Sequence, residues 1–99
     1  MSTSTNYELQ FLPSALKEWK KLDPSIRRQL KKKLAERLHQ PHVPGSRLRG
    51  FDAVYKIKLR ASGYRLVYQV KDDQLIVLVI AIARRDREEV YKRLKKRLS

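Results

Sequence analysis

Lys56 and Lys58 stand two residues apart in the stretch YKIKLRASGYR, with Arg60 and Arg65 close behind. Side chains two apart on an extended chain point to the same side, so Lys56, Lys58 and Arg60 form a row of positive charge. Such a row suits a solvated sheet surface, and it suits a seat for phosphate equally well. Further along, Arg84, Arg85 and Arg87 come in quick succession and Tyr91 follows. Fixed cations stabilise the extra negative charge that a phosphodiester acquires as it becomes a pentacoordinate phosphorane. A tyrosine ring offers a stacking surface for a base, worth roughly 1–3 kcal/mol per base. Together these residues point to RNA, either cut without a metal or bound without being cut.

Other chemistries find less support. No GxxxxGK[ST] or GxGxxG phosphate loop is present, and Gly45, Gly50 and Gly63 are isolated. His39 and His42 lack an evident third metal ligand. As an acid/base pair they fit on spacing alone, and the simpler reading is a pair of loop or surface histidines. The carboxylates Asp72 and Asp73 fall in a turn, while Asp86, Glu88 and Glu89 open a helix, where they complement its dipole. A two-metal nuclease needs convergent carboxylates, so no metal and no cofactor are expected.

The overall charge agrees with a polyanionic partner. Against 24 Lys and Arg there are 10 Asp and Glu, a formal net charge of +14 and a pI near 10.5. Neutralising phosphates releases condensed counterions, which makes nucleic acid the leading partner. A membrane surface fits less well, because the cations decorate strands and turns and do not line one amphipathic helix. An acidic protein partner is compatible with the same charge. There is no cysteine, as suits a reducing compartment. The longest apolar run, residues 75–83, is far short of the roughly 20 needed to span a bilayer, and MSTSTN lacks the apolar centre of a signal peptide. The expectation is a cytoplasmic protein of one domain, residues 1–99, with 1–6 flexible.

These residues must be carried by elements, and the patterning supplies them. Tyr7, Leu9 and Phe11 alternate with polar residues, predicting a short strand with those three inward. Pro13 opens a helix whose Leu12, Ala15, Leu16 and Trp19 have the spacing of one buried face. Asp23-Pro24 supplies an N-cap and a proline at the first helical position. Ile26, Leu30, Leu34 and Leu38 then form an apolar stripe that Pro41 ends. The other faces of this second helix carry Arg27, Arg28, Lys31, Lys32, Lys33 and Arg37, either a solvated surface or a contact for an RNA backbone.

After the loop at 39–50 come three strand patterns, 54–60, 64–70 and 75–83, simplest as a meander. Pairing Leu59 with Tyr64 puts Ile57 opposite Leu66 and Tyr55 opposite Tyr68, with all the bulky residues on one side. The same register sets Lys58 across from Arg65, a costly arrangement unless an anion sits there. IVLVIAIA is apolar on both faces and is expected at the centre of the sheet. Asp86 and Glu89 resemble a capping box, and Val90, Tyr91, Leu94 and Leu98 share a face of a last helix. The fold class is α+β: an N-terminal strand and an α-helical hairpin packed on an antiparallel β-sheet, with a C-terminal helix.

In order, ALKEWKKL, Leu48-Arg49-Gly50, YKIKLRASGYRLVYQV and IAIARRDREEVY resemble the RelE toxins of prokaryotic toxin–antitoxin systems, within the RelE/ParE superfamily. The similarity runs through Tyr91. It implies a fold like that of small microbial ribonucleases. It also implies a ribosome-dependent mRNA endonuclease that cuts the A-site codon without a metal. The substrate's 2′-hydroxyl attacks the adjacent phosphate, leaving a cyclic phosphate and a 5′-hydroxyl. A RelB-type antitoxin neutralises such a toxin, and the complex represses its own operon, so operator DNA is met only through the complex.

Matched residue by residue, the family's active-site lysines fall on Lys56 and Lys58, its strand arginine on Arg65, its post-strand arginine on Arg85 and its helix tyrosine on Tyr91. Where many relatives have glycine and then lysine or histidine, this chain has Ala83-Arg84. Contacts to RNA or ribosome are expected from Arg27, Arg28, Lys31, Lys32, Arg49, Arg60, Arg84 and Arg87. Cations beside Lys58 disfavour its protonated form and would free it to act as base. Lys56 and Arg65 would hold the phosphorane, and Arg85 would neutralise or protonate the leaving oxygen. Other readings of the residues are a toxin of the same superfold directed at DNA gyrase, a non-catalytic RNA- or ribosome-binding protein, a DNA-binding domain and a catalytically dead relative.

Overall fold

The chain runs β1 (Glu8–Phe11), α1 (Pro13–Lys20), α2 (Pro24–His39), a 3₁₀ turn at Pro44–Ser46, β2 (Val54–Lys58), β3 (Tyr64–Lys71), β4 (Ile76–Arg84) and α3 (Arg87–Leu98). The computed structural model describes residues 6–84 and 87–98, with Arg87 and Glu88 as backbone only. Asp86 therefore lies outside the described residues, and so do residues 1–5 of the segment expected to be flexible. The β2–β3–β4 meander is antiparallel as expected. β1 joins it in parallel beside β4, giving the order β1-β4-β3-β2.

β4 is central because both its faces are covered. Val77, Val79 and Ile82 pack with Ile26, Leu30 and Leu34 under the helical hairpin, together with Tyr55, Ile57, Leu66 and Tyr68. Ile80, Ala81 and Ala83 pack with Val54, Val67, Val90 and Leu94 under α3. Val67 pairs with Ala81 and Tyr68 with Val79, which leaves Ile80 as an extra residue. A bulge of this kind bends its strand, and here it turns both Ile80 and Ala81 toward α3.

Several details depart from the patterning. Leu16, expected in the buried face of α1, is 37% exposed, and Leu22 beyond the helix is buried in its place. Eight residues form only about two turns, too few to bury two adjacent flanks against a twisted sheet. Asp23 sits at the N-cap of α2 without a side-chain capping bond. β2 ends at Lys58, so Arg60 lies in the turn and does not extend the row of Lys56 and Lys58. That turn is closed by Leu59 N–H to Tyr64 O at 2.9 Å and Gly63 N–H to Leu59 O at 2.8 Å. Gly63 has φ +80°, a left-handed conformation that glycine adopts without steric cost.

Arg37, counted among the outward cations of α2, turns inward. Its guanidinium donates to Tyr68 Oη at 2.8 Å, to the Lys56 carbonyl at 3.3 Å and to Ser46 Oγ at 3.4 Å. Tyr68 Oη in turn donates to Pro41 O at 2.8 Å. β2 is an edge strand, and Lys56 O points away from β3, so Arg37 satisfies a carbonyl that no strand reaches. His42 is held between Tyr55 Oη at 2.8 Å and Asp72 at 2.8 Å, while Tyr7 Oη donates to Asp72 at 2.5 Å. The hydrogen bond from Tyr7, with His42, holds the Asp72 carboxyl below its ordinary pKa. His42 is thus a strut between loop and sheet, while His39 is exposed at the end of α2.

Candidate active site

The register of β2 and β3 places Lys58 directly opposite Arg65 and Lys56 opposite Val67. Alternation along a strand turns Lys56, Lys58 and Arg65 to the α3 side of the sheet, away from Tyr55, Ile57 and Leu66. Val54 and Val67 on that side are fully buried beneath α3. The cations stand where this apolar cover ends: Lys56 and Arg65 are half-buried and Lys58 is exposed. Like charges facing each other across a ladder are unfavourable, and a bound phosphate would turn that cost into attraction.

Tyr91 comes to the same side through the docking of α3. Val90 and Leu94 point into the sheet, so positions 93 and 97 lie on one flank of the helix and 91 and 95 on the other. On the first flank, Arg93 donates to Ile82 O at 2.8 Å and Arg97 to Ile80 O at 2.8 Å. Both also hold Glu18 of α1, Arg93 at 2.8 Å and Arg97 at 2.7 Å, and Glu18 accepts from Ile82 N–H at 3.0 Å. β1 pairs with β4 only as far as Val79. Beyond it these three side chains satisfy backbone groups that a neighbouring strand would otherwise bond. The opposite flank turns Tyr91, half-buried, toward the loop before β2. There Leu48, Arg49, Phe51, Tyr91, Lys92 and Lys95 line a cavity of about 380 Å³.

The remaining expected residues fall into separate groups. Arg49 joins the cavity with Tyr91. Arg84 pairs with Tyr64 at the end of β4, its guanidinium 5.9 Å from the Tyr64 ring centroid. Tyr64 packs against the hairpin-side core, so Arg84 is drawn away from the face of Lys58. Arg27 donates to Lys20 O at 3.4 Å and Leu22 O at 3.2 Å, closing the end of α1. Arg28, Lys31 and Lys32 are exposed on α2, with the hairpin-side core and the sheet between them and Lys58. Arg60 is exposed in the β2–β3 turn. Arg85 and the Arg87 side chain lie outside the described residues. Glu89, expected to cap α3 with Asp86, accepts from Arg93 Nε at 2.9 Å.

Residues 9–89 match the family model described as the ParE toxin of type II toxin–antitoxin systems, parDE. The chain belongs to the RelE/ParE toxin family. Within it, the chain is 53% identical over 92 residues to the mRNA interferase toxin RelE of Escherichia coli, covering 93% of this chain and 97% of the relative. A doubly substituted variant of the E. coli toxin RelE in the free state superposes with a TM-score of 0.88 at 49% identity, covering 96% of this chain and all of that one. RelE in the intact E. coli RelBE toxin–antitoxin complex superposes at 0.78 with 54% identity, over 79% of this chain and 95% of that one.

Sequence reasoning missed Glu18, Arg37, Arg93, Arg97, Leu48 and Phe51 as residues that build this region. The spacing of Arg93 and Arg97, one turn apart beside the Val90–Leu94 stripe, was a readable signal. A lone glutamate between Lys17 and Trp19 in a strongly basic stretch was another.

Proposed function

We propose that this chain is the toxin of a type II toxin–antitoxin system and acts as an mRNA interferase, cutting the codon in the ribosomal A site. The observation that carries the reading is the Lys58–Arg65 pair on the sheet face that α3 leaves open, which invites a phosphate. The 53% identity to the E. coli mRNA interferase supports it.

In this mechanism Lys58 takes the proton of the substrate 2′-hydroxyl. The 2′-oxygen then attacks the adjacent phosphorus, and the bond from phosphorus to the 5′-oxygen breaks. The departing 5′-oxygen takes a proton from solvent, and the products are a 2′,3′-cyclic phosphate and a 5′-hydroxyl. Lys56 and Arg65 stabilise the phosphorane, Arg85 offsets the charge on the leaving oxygen, and Tyr91 stacks on a base of the codon. A site that lacks a strong acid and a strong base depends on the ribosome to align the 2′-hydroxyl with the phosphate.

The reading includes a single domain acting in the cytoplasm, neutralised by a RelB-type antitoxin and reaching operator DNA only in that complex. The complex formed by the E. coli relative supports the antitoxin, and among the described residues no helix is long and apolar enough to cross a membrane. Ribosomes programmed with a defined mRNA provide the test. The expected result is cuts inside the A-site codon with cyclic phosphate and 5′-hydroxyl ends. The family model is described as a ParE toxin of type II toxin–antitoxin systems and names no interferase, so the second reading is a toxin of the same superfold directed at DNA gyrase. Growth arrest with gyrase-linked DNA damage and intact mRNA would establish that reading and reject the first.

A further inference from the structure

We infer that the cavity between α3 and the loop before β2 is a nucleobase pocket of the RNA site, with Leu48 and Phe51 as its floor and Lys92 and Lys95 as its phosphate grip. This rests on the proposed RNA cleavage and extends it to residues with no role in that chemistry. Leu48 and Phe51 are half-buried, packed against the α3-side core. They open into a cavity of about 380 Å³ bordered by Arg49, Tyr91, Lys92 and Lys95, within the roughly 300–1,000 Å³ usual for small-ligand sites.

The occupant follows from the lining. The floor is apolar and aromatic, as the face of a base requires. Among the described residues, the charged side chains that line it are all cations, Arg49, Lys92 and Lys95. A nucleotide combines a flat ring with an anionic phosphate and matches both features. The cavity also shares Tyr91 with the proposed cutting site, so the two would engage one RNA strand. Phe51 then acts as a specificity-determining residue, because the shape of the floor selects among bases at one codon position.

The experiment uses ribosomes programmed with an A-site codon made uncleavable by 2′-O-methyl groups and carrying 2-aminopurine at each codon position in turn. The full-length toxin is titrated in. With the wild type, 2-aminopurine fluorescence should be quenched at one position by stacking on Phe51, in addition to any quenching by Tyr91. Phe51→Ala should abolish that quenching, and Phe51→Trp should retain it. The double variant Lys92→Ala/Lys95→Ala should raise the half-saturating ribosome concentration at least about fivefold. Because these lysines face solvent, this variant keeps the test decisive even where Phe51→Ala loosens the loop.

Wild-type quenching and affinity in both Phe51→Ala and the double-lysine variant would overturn the pocket while leaving A-site cleavage intact. Normal binding and cleavage combined with escape from antitoxin inhibition would overturn it too, and assign the cavity to a protein partner. Failure of wild type to cut the unmodified codon would overturn the functional reading, and the pocket with it.

Discussion

Glu18 of α1 and Arg97 of α3 meet at 2.7 Å beside β4, joining residues from near the two ends of the chain. Arg93 shares the same carboxylate. This cluster fixes the rotation of α3 about its axis and thereby the direction of Tyr91. Its strength has a defined pH dependence. Burial disfavours the Glu18 carboxylate, but the hydrogen bonds from Arg97 and Ile82 N–H and the charges of Arg97 and Arg93 outweigh it, lowering the pKa from 4.5.

A carboxylate whose folded pKa is depressed contributes stability above its unfolded value and loses that contribution as the pH falls through the folded one. Glu18→Gln should therefore cost about 1–3 kcal/mol at neutral pH and less as the pH drops below roughly 4. Thermal unfolding of wild type and variant across this range checks it. A constant difference at every pH would contradict the assignment.

Lys58→Ala separates activity from stability. Loss of a general base should slow single-turnover cleavage by about 10²–10⁴-fold and change the pH–rate profile. Relief of repulsion with Arg65 should leave stability unchanged or raise it by up to about 1 kcal/mol. An unchanged rate and profile would reject the base role.

Tyr91→Phe keeps a ring and Tyr91→Ala removes it. The first should retain most activity, and the second should weaken RNA engagement by about 1–3 kcal/mol. Equal activity of both variants and wild type, measured on programmed ribosomes, would reject stacking.

Gly63→Ala introduces a side chain at φ +80° in the turn that holds Lys58 opposite Arg65. A loss of about 1 kcal/mol or more is expected in urea unfolding, together with slower cleavage. Full stability would show that the turn tolerates a Cβ there.

Arg37→Met keeps the length of the side chain but leaves Tyr68 Oη without its guanidinium and Lys56 O without a donor. A cost of about 1–3 kcal/mol is expected, with faster amide exchange in β2 than in β1. Uniform exchange changes would argue against a local hold on the edge strand.

Much of this was legible in the residues. Alternation in YKIKLRASGYRLVYQV, with a short turn at Gly63, admits one register that buries Tyr55, Ile57, Leu66 and Tyr68 together, so the Lys58–Arg65 pairing followed from strand periodicity. The two-sided apolar pattern of IVLVIAIA required a central strand. The ordered runs from ALKEWKKL to IAIARRDREEVY were enough to suggest the family. Leu16 was misplaced because helical spacing defines a stripe but does not say how wide a surface the neighbouring layer covers.

What the tertiary structure decided depends on contacts between distant segments. The parallel seat of β1 beside β4, the inward turn of Arg37 and the Glu18–Arg93–Arg97 cluster join residues whose separation in the chain carries no periodic signal. Their partners are mostly backbone carbonyls and N–H groups, which every residue has and which no sequence pattern marks. Composition therefore announced a strongly cationic surface, and local periodicity placed Lys56, Lys58 and Arg65 on one face. Only packing decided that Arg27, Arg37, Arg93 and Arg97 hold the scaffold while Arg49, Lys92 and Lys95 gather beside Tyr91, because a cation's role follows from what lies within hydrogen-bonding reach of it.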